Sequence, residues 1–219
     1  SSVSGDAIRP AKTDDTMPLS DRFDLPHGTV VLWKIDETEA ELRMLCTPGE
    51  CAHAAERFSS ESRRREWLAW HAALRRIVPD AEPFYLPDGA PAIGNALRIG
   101  VSHTEGYAAA FVGKRACAVD IERKERDFGR AARRYLSPEE EALCAETAGA
   151  LSPGLVWCAK ETLYKLAGGK YTDLLRDIRI AGFDPCGPSI HGTVAGKPFR
   201  LGTIPHEELH IVFGEAERE

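Results

Sequence analysis

The sequence contains no apolar stretch long enough to cross a membrane, which excludes a helical membrane protein. It has no CxxC pair: Cys46, Cys51, Cys117, Cys144, Cys158 and Cys186 follow no regular spacing, which excludes a zinc ribbon or a disulfide framework. Three of these thiols sit in apolar runs, as buried reduced cysteines do. No secretory signal pattern is visible, so the expected compartment is a reducing cytoplasm. An excess of positive charge is also missing, with 34 acidic against 28 basic side chains and a net charge of −6. That balance excludes a generic nucleic-acid binder, because phosphate backbones need clustered Lys and Arg. Aromatic residues are 8% of the chain and hydrophobic residues 43%, ordinary values for a globular enzyme.

The basic residues that are present fall into two knots. Arg63, Arg64 and Arg65 form one; Arg123, Lys124, Arg126, Arg130, Arg133 and Arg134 form the other. Such patches suit solvated helix faces, a small phosphorylated ligand or an acidic protein surface.

Residues 1–20 are polar, with Pro10 and Pro18, and read as a loose tail. The remainder divides into an N-terminal half over 21–115 and a C-terminal half over 116–215. Thr29–Ile35 is a short apolar strand candidate. From Ser60, the residues Trp67, Trp70, His71, Leu74, Ile77 and Val78 recur at helix spacing until Pro79 stops the run. After the punctuated segment Leu86–Pro91 come three expected strands, Leu97–Ser102, Tyr107–Val112 and Ala116–Glu122. The last two are expected to form a hairpin through Gly113-Lys114-Arg115. Ser137-Pro138-Glu139-Glu140 has the form of a capped helix start. Ser152-Pro153 opens another helix, which Gly168-Gly169 ends. Strand patterns follow at 178–183, 189–195, 199–202 and 209–214. Helices combined with largely antiparallel strands in each half predict an α+β fold.

Ala118-Val119-Asp120-Ile121-Glu122 is the most informative segment. On a strand, Asp120 and Glu122 share one face and Val119 and Ile121 the other. Adjacent carboxylates repel unless a cation relieves them; Mg²⁺ suits this, and so does a neighbouring Arg123 or Lys124. On the helix from Ser152, the apolar stripe is Leu155, Val156, Ala159, Leu163, Leu166 and Ala167. Trp157, Glu161 and Lys165, four apart, share a different face. Either that face lines a cleft, or it carries an exposed Glu–Lys pair beside a half-buried Trp. Ser102-His103, at a strand end, can donate hydrogen bonds to a phosphate. His206-Glu207-Glu208-Leu209-His210 fits the His-Glu-x-x-His zinc signature literally. That motif needs a helix, however, and Pro205 before it and the strand pattern after it predict a loop feeding the final strand.

These segments resemble the 4'-phosphopantetheinyl transferase superfamily, in its larger type that activates non-ribosomal peptide and polyketide synthetases of secondary metabolism. The similarity is carried, in order, by Arg57-Phe58, Gly89-Ala90-Pro91, Val101-Ser102-His103-Thr104, Ala118–Glu122, Arg134-Tyr135-Leu136-Ser137-Pro138-Glu139-Glu140 and Trp157-Cys158-Ala159-Lys160-Glu161-Thr162-Leu163-Tyr164-Lys165. It covers about residues 28–214, and Trp-x-x-Lys-Glu-x-x-x-Lys below an Asp-x-Glu is its most specific part. The resemblance implies a monomer of two similar α/β halves with pseudo-two-fold symmetry and coenzyme A bound between them. It implies Mg²⁺ held by Asp120, Glu122 and Glu161. Ser102, His103 and Lys165 would contact the coenzyme's phosphates, and Arg57 and Arg64 are further coenzyme candidates. The implied catalytic residues are Glu161 and Lys165, and the implied partner is an apo acyl or peptidyl carrier protein. Asp88 and Ala90 stand where the family often has basic residues, leaving Arg64 or Arg98 as candidates for the 3'-phosphate. The alternative is a non-catalytic coenzyme A or nucleotide-binding protein on the same fold; retention of all three acids and Lys165 argues against it.

Overall fold

A computed structural model of the chain describes residues 20–216 apart from 88, 95, 172 and 188. Residues 1–19 of the expected N-terminal tail and Asp88 lie outside the described residues, and the tail's last expected residue, Ser20, opens β1. Cα packing divides the chain into two compact units that join between Arg115 and Ala116. Both combine helices with antiparallel sheet, so the fold is α+β. Among the described residues, no helix is long and apolar enough to cross a membrane.

The N-terminal unit runs β1 (Ser20–Leu25), β2 (Gly28–Lys34), α1 (Glu39–Met44), α2 (Pro48–Arg57), α3 (Glu61–Arg75), β3 (Pro83–Tyr85), β4 (Pro91–Ile93), β5 (Arg98–Thr104) and β6 (Tyr107–Gly113). β1, β2, β6 and β5 form an antiparallel sheet in that order, while β3 and β4 make a separate ribbon. Alternation along β2 and β6 sends Val31, Trp33, Ala108, Ala110 and Val112 into one core with Leu68, Trp70 and Leu74 of α3. α1 and α2 begin at capping boxes on Thr38 and Thr47, each closed by a Glu three residues on.

The C-terminal unit runs β7 (Cys117–Arg123), a single 3-10 turn (Ala132–Arg134), α4 (Pro138–Glu146), α5 (Pro153–Leu166), β8 (Ile178–Asp184), β9 (Ser189–Val194), β10 (Lys197–Thr203) and β11 (Leu209–Glu215). Its five-stranded sheet has the order β7-β11-β10-β9-β8, all antiparallel. α5 lies on this sheet, with Val156, Ala159 and Leu163 packed among Ile178, Ile190, Leu201 and Val212. The close approach depends on two glycines. A Cβ on Gly214 would stand 2.9 Å from Leu166 Cδ1, and one on Gly192 would stand 2.8 Å from Leu163 Cδ1.

One expectation is overturned. β6 and β7 do not form a hairpin: β6 pairs with β2 and β5, whereas β7 pairs along its length with β11. The hairpin partner of β6 is β5, through the turn at Glu105-Gly106. The Gly113-Lys114-Arg115 turn is instead where the chain leaves one sheet for the other. The expected turn over Leu86–Pro91 is present and closes the ribbon β3–β4; β1, β3, β4, α1 and α2 were not anticipated as elements.

Candidate functional site

β7 is an edge strand, and its alternation distributes the side chains as expected. Val119 and Ile121 are buried on one face, while Asp120 and Glu122 project from the other toward α5. Ser152 caps α5 by accepting from the Leu155 amide, and Pro153 fills its first turn. The helix ends where Gly168 and Gly169 take positive φ values of 68° and 69°, a region that glycine enters without steric cost. Between these ends, Trp157, Glu161 and Lys165 fall on successive turns of one face.

The strand and helix faces meet. Lys165 Nζ donates to Asp120 Oδ1 at 2.7 Å and to the Val119 carbonyl at 2.9 Å. Trp157 Nε1 donates to Glu122 Oε1 at 2.9 Å. The face is therefore more than a solvated Glu–Lys pair, and the off-core Trp has its reason: its indole fixes the second strand acid. Burial is the main cause that raises the Glu161 carboxyl above the ordinary range. The charge of Asp120 adds to it, Lys165 opposes it, and Glu122 adds a smaller push. Three carboxylates thus feel one another in a partly desolvated pocket of charge.

Three participants escape a reading of the sequence by pattern alone. Arg126, just beyond β7, pairs with Glu122 Oε1 and stacks over the Trp157 and Phe128 rings, at 5.4 and 5.3 Å from their centres. Lys160 is fully buried and donates to Tyr135 O at 2.5 Å, Leu174 O at 2.7 Å and Glu140 Oε2 at 2.8 Å. Glu140 closes the expected capping box on Ser137 and also accepts from the Ile180 amide at 2.8 Å. It ties α4, α5 and β8 together. The available signal for Lys160 was its position between Val156 and Leu163 on the apolar side of α5.

The donor set suits a divalent cation bound through oxygen, since Mg²⁺ takes a few carboxylates together with water and phosphate oxygens. As the side chains stand, no group of three His, Cys, Asp or Glu among the described residues is gathered around one point. Asp120 and Glu122 are instead engaged by Lys165 and Arg126.

The other expected site residues lie in the N-terminal unit. Ser102 is buried on β5, and His103 beside it holds Nδ1 3.1 Å from Glu66 Oε2. Glu66, the third unanticipated participant, also accepts from Ser62 at 3.3 Å. Arg57 ends α2 with its guanidinium 5.7 Å from the Phe58 ring centre. Arg64 is committed to Glu39 at 2.8 Å and to the carbonyls of Phe58 and Ser59 at 3.0 and 2.9 Å. The Gly89 turn joins β3 to β4 with φ at 83°.

His206 and His210 do not share a helix. Residues 204–208 are a loop and His210 is on β11, so the zinc-protease geometry is absent. His206 Nδ1 accepts from the Glu208 and Leu209 amides, each at 3.1 Å, which secures the turn into that strand. His210 faces Ser152 Oγ at 3.3 Å, and burial lowers its pKa to about 4.

No curated protein matches the chain. Residues 116–213 match the family model described as the 4'-phosphopantetheinyl transferase superfamily. That span includes β7 with its acid pair, α5 with its Trp-Glu-Lys face, and the five-stranded sheet apart from the last two residues of β11. This segment, a little under half of the chain, is similar to the 4'-phosphopantetheinyl transferase superfamily.

Proposed function

We propose that this protein transfers the 4'-phosphopantetheine arm of coenzyme A to a serine of an apo acyl or peptidyl carrier protein, with Mg²⁺ as cofactor and adenosine 3',5'-bisphosphate as the second product. The observation that carries the reading is the facing of Asp120 and Glu122 on β7 with Trp157, Glu161 and Lys165 on α5. Three acids and a lysine on two rigid elements are the groups needed to hold a cation and a diphosphate.

In this reading, Asp120, Glu122 and Glu161 would hold the ion, which would supply charge neutralisation at the diphosphate. The carrier serine oxygen forms a bond to the phosphorus that bears the pantetheine arm. The bond from that phosphorus to the bridging oxygen breaks, and its electron pair leaves with adenosine 3',5'-bisphosphate. Lys165 offsets negative charge on the phosphate oxygens. Glu161, directly or through one water, takes the serine proton, and its raised pKa suits that task. In the N-terminal unit, Ser102 and His103 are assigned to coenzyme phosphates, with Glu66 orienting His103. Arg57 is a further coenzyme candidate. Arg64 is a weaker one, because three protein acceptors already hold it.

The test is to incubate the protein with coenzyme A, Mg²⁺ and an apo carrier domain and follow the carrier's mass. The expected result is a gain equal to one phosphopantetheine arm. No gain across several unrelated carriers, with coenzyme binding intact, would favour a silent coenzyme-binding protein instead.

A further inference from the structure

The acidic centre of the C-terminal unit already contains an exposed cation of its own. Arg126 lies four residues after Glu122, past the end of β7, and its side chain is 44% exposed. Its guanidinium reaches the same Glu122 oxygen that accepts the Trp157 indole N–H, and it covers the Trp157 ring face. Lys165 serves Asp120 differently. It rises from within α5, is 31% exposed, and is anchored a second time by the Val119 carbonyl at 2.9 Å.

Three carboxylates therefore share two protein cations. With all three acids ionised, as ligands to a metal must be, a divalent ion arriving at this centre turns a net charge of −1 into +1 unless one of those cations withdraws. Arg126 is the one able to do so, because it is the more exposed, sits on a turn, and has no backbone anchor matching the second bond of Lys165. Resting on the magnesium reading above, we propose that Arg126 is an internal counter-ion, a positioning residue that holds Glu122 in place without metal and is displaced from it by the divalent ion. The exchange takes place on the face of Trp157, the one tryptophan among residues 116–216, since Trp33, Trp67 and Trp70 all belong to the N-terminal unit.

The experiment is a calorimetric titration of Mg²⁺ into the full chain without coenzyme, with tryptophan fluorescence followed in parallel. The proteins are wild type, Arg126→Gln, Arg126→Lys, Asp120→Asn and Trp157→Phe, with circular dichroism as the check of fold. An exposed ion pair combined with a cation–π contact sets the scale: Arg126→Gln should bind Mg²⁺ about 3- to 10-fold more tightly than wild type. Arg126→Lys, which keeps the competing charge, should stay within about 2-fold of wild type by the same scale. Metal should change wild-type fluorescence, and that change should be lost in Trp157→Phe and reduced in Arg126→Gln. Unchanged or weaker Mg²⁺ binding by a folded Arg126→Gln overturns the inference and leaves the metal reading standing. Wild type that binds no Mg²⁺, behaving like Asp120→Asn, overturns both.

Discussion

Replacing Lys160 by Met should destabilise the C-terminal unit by about 3–5 kcal/mol, the cost of leaving one partner of a buried ion pair alone. The structure accounts for that size. Lys160 is 0% exposed and its three donors are all used, on Glu140 and on the carbonyls of Tyr135 and Leu174. Charge-assisted bonds contribute about 1.5–3 kcal/mol each, and the packing of a Met chain returns part of the loss. The assay is urea unfolding followed through Trp157, which lies against Tyr135 with ring centres 5.0 Å apart. With a slope of about 2 kcal/mol per molar urea, the midpoint should fall by about 2 M. Glu140→Gln should also destabilise, through the same pair. The double variant should lose about 1–3 kcal/mol less than the sum of the two singles, because neither charge is then left unpaired. A Lys160→Met loss below about 1 kcal/mol, or strict additivity in the double variant, would refute the claim that this pair fixes α5 against α4 and β8.

Glu161→Gln should lower transfer by at least about 100-fold, the scale of a lost general base. The same variant should melt at a higher temperature than wild type at pH 7 with a metal chelator. Burial and the neighbouring acids raise the Glu161 pKa, so the folded state keeps a proton that the unfolded chain releases, and stability falls as pH climbs through that window; Gln escapes the penalty, and a lower melting temperature would contradict this. His71 and His210 behave oppositely, both lowered to about 4 chiefly by burial. Unfolded histidine takes up a proton near 6.5, so stability should fall as pH drops from about 6.5 toward 4, by up to about 1.4 kcal/mol per pH unit for each histidine. His71→Gln should flatten that slope in the N-terminal unit, and an unaltered slope would show that His71 does not cause it. Arg130, Arg133 and Arg134 are exposed beyond β7, so charge reversal at all three should raise KM for an acidic carrier domain and leave KM for coenzyme A near its wild-type value; the reverse selectivity would assign the patch to the coenzyme.

What was legible in the sequence is what depends on near neighbours. Alternation put Asp120 and Glu122 on one strand face, and four-residue spacing put Trp157, Glu161 and Lys165 on one helix face, because both patterns are closed within a few residues. The capping box of Ser137 and Glu140 was legible for the same reason, and so was the rejection of the zinc motif, through Pro205. The hairpin failed because a tight turn says only that the chain reverses. Which strand lies alongside is decided by burial elsewhere, and the partner of β7 is β11, at the far end of the sequence. Lys160 drew no expectation of burial, for a more instructive reason. Hydropathy scores a lysine as a solvated residue, yet here it completes an apolar face because Glu140 is brought to it by α4, and that same carboxylate reaches an amide forty positions away. The candidate site divides along this line. Its acids are local in sequence and were visible, while the charges that answer them depend on how the chain comes together: Lys165 against Asp120, Arg126 over Trp157, Glu66 behind His103. A counter-charge beside a carboxylate shifts both its pKa and its affinity for a cation. The chemistry of this centre is therefore set as much by Arg126 and Lys165 as by the three acids that drew attention to it.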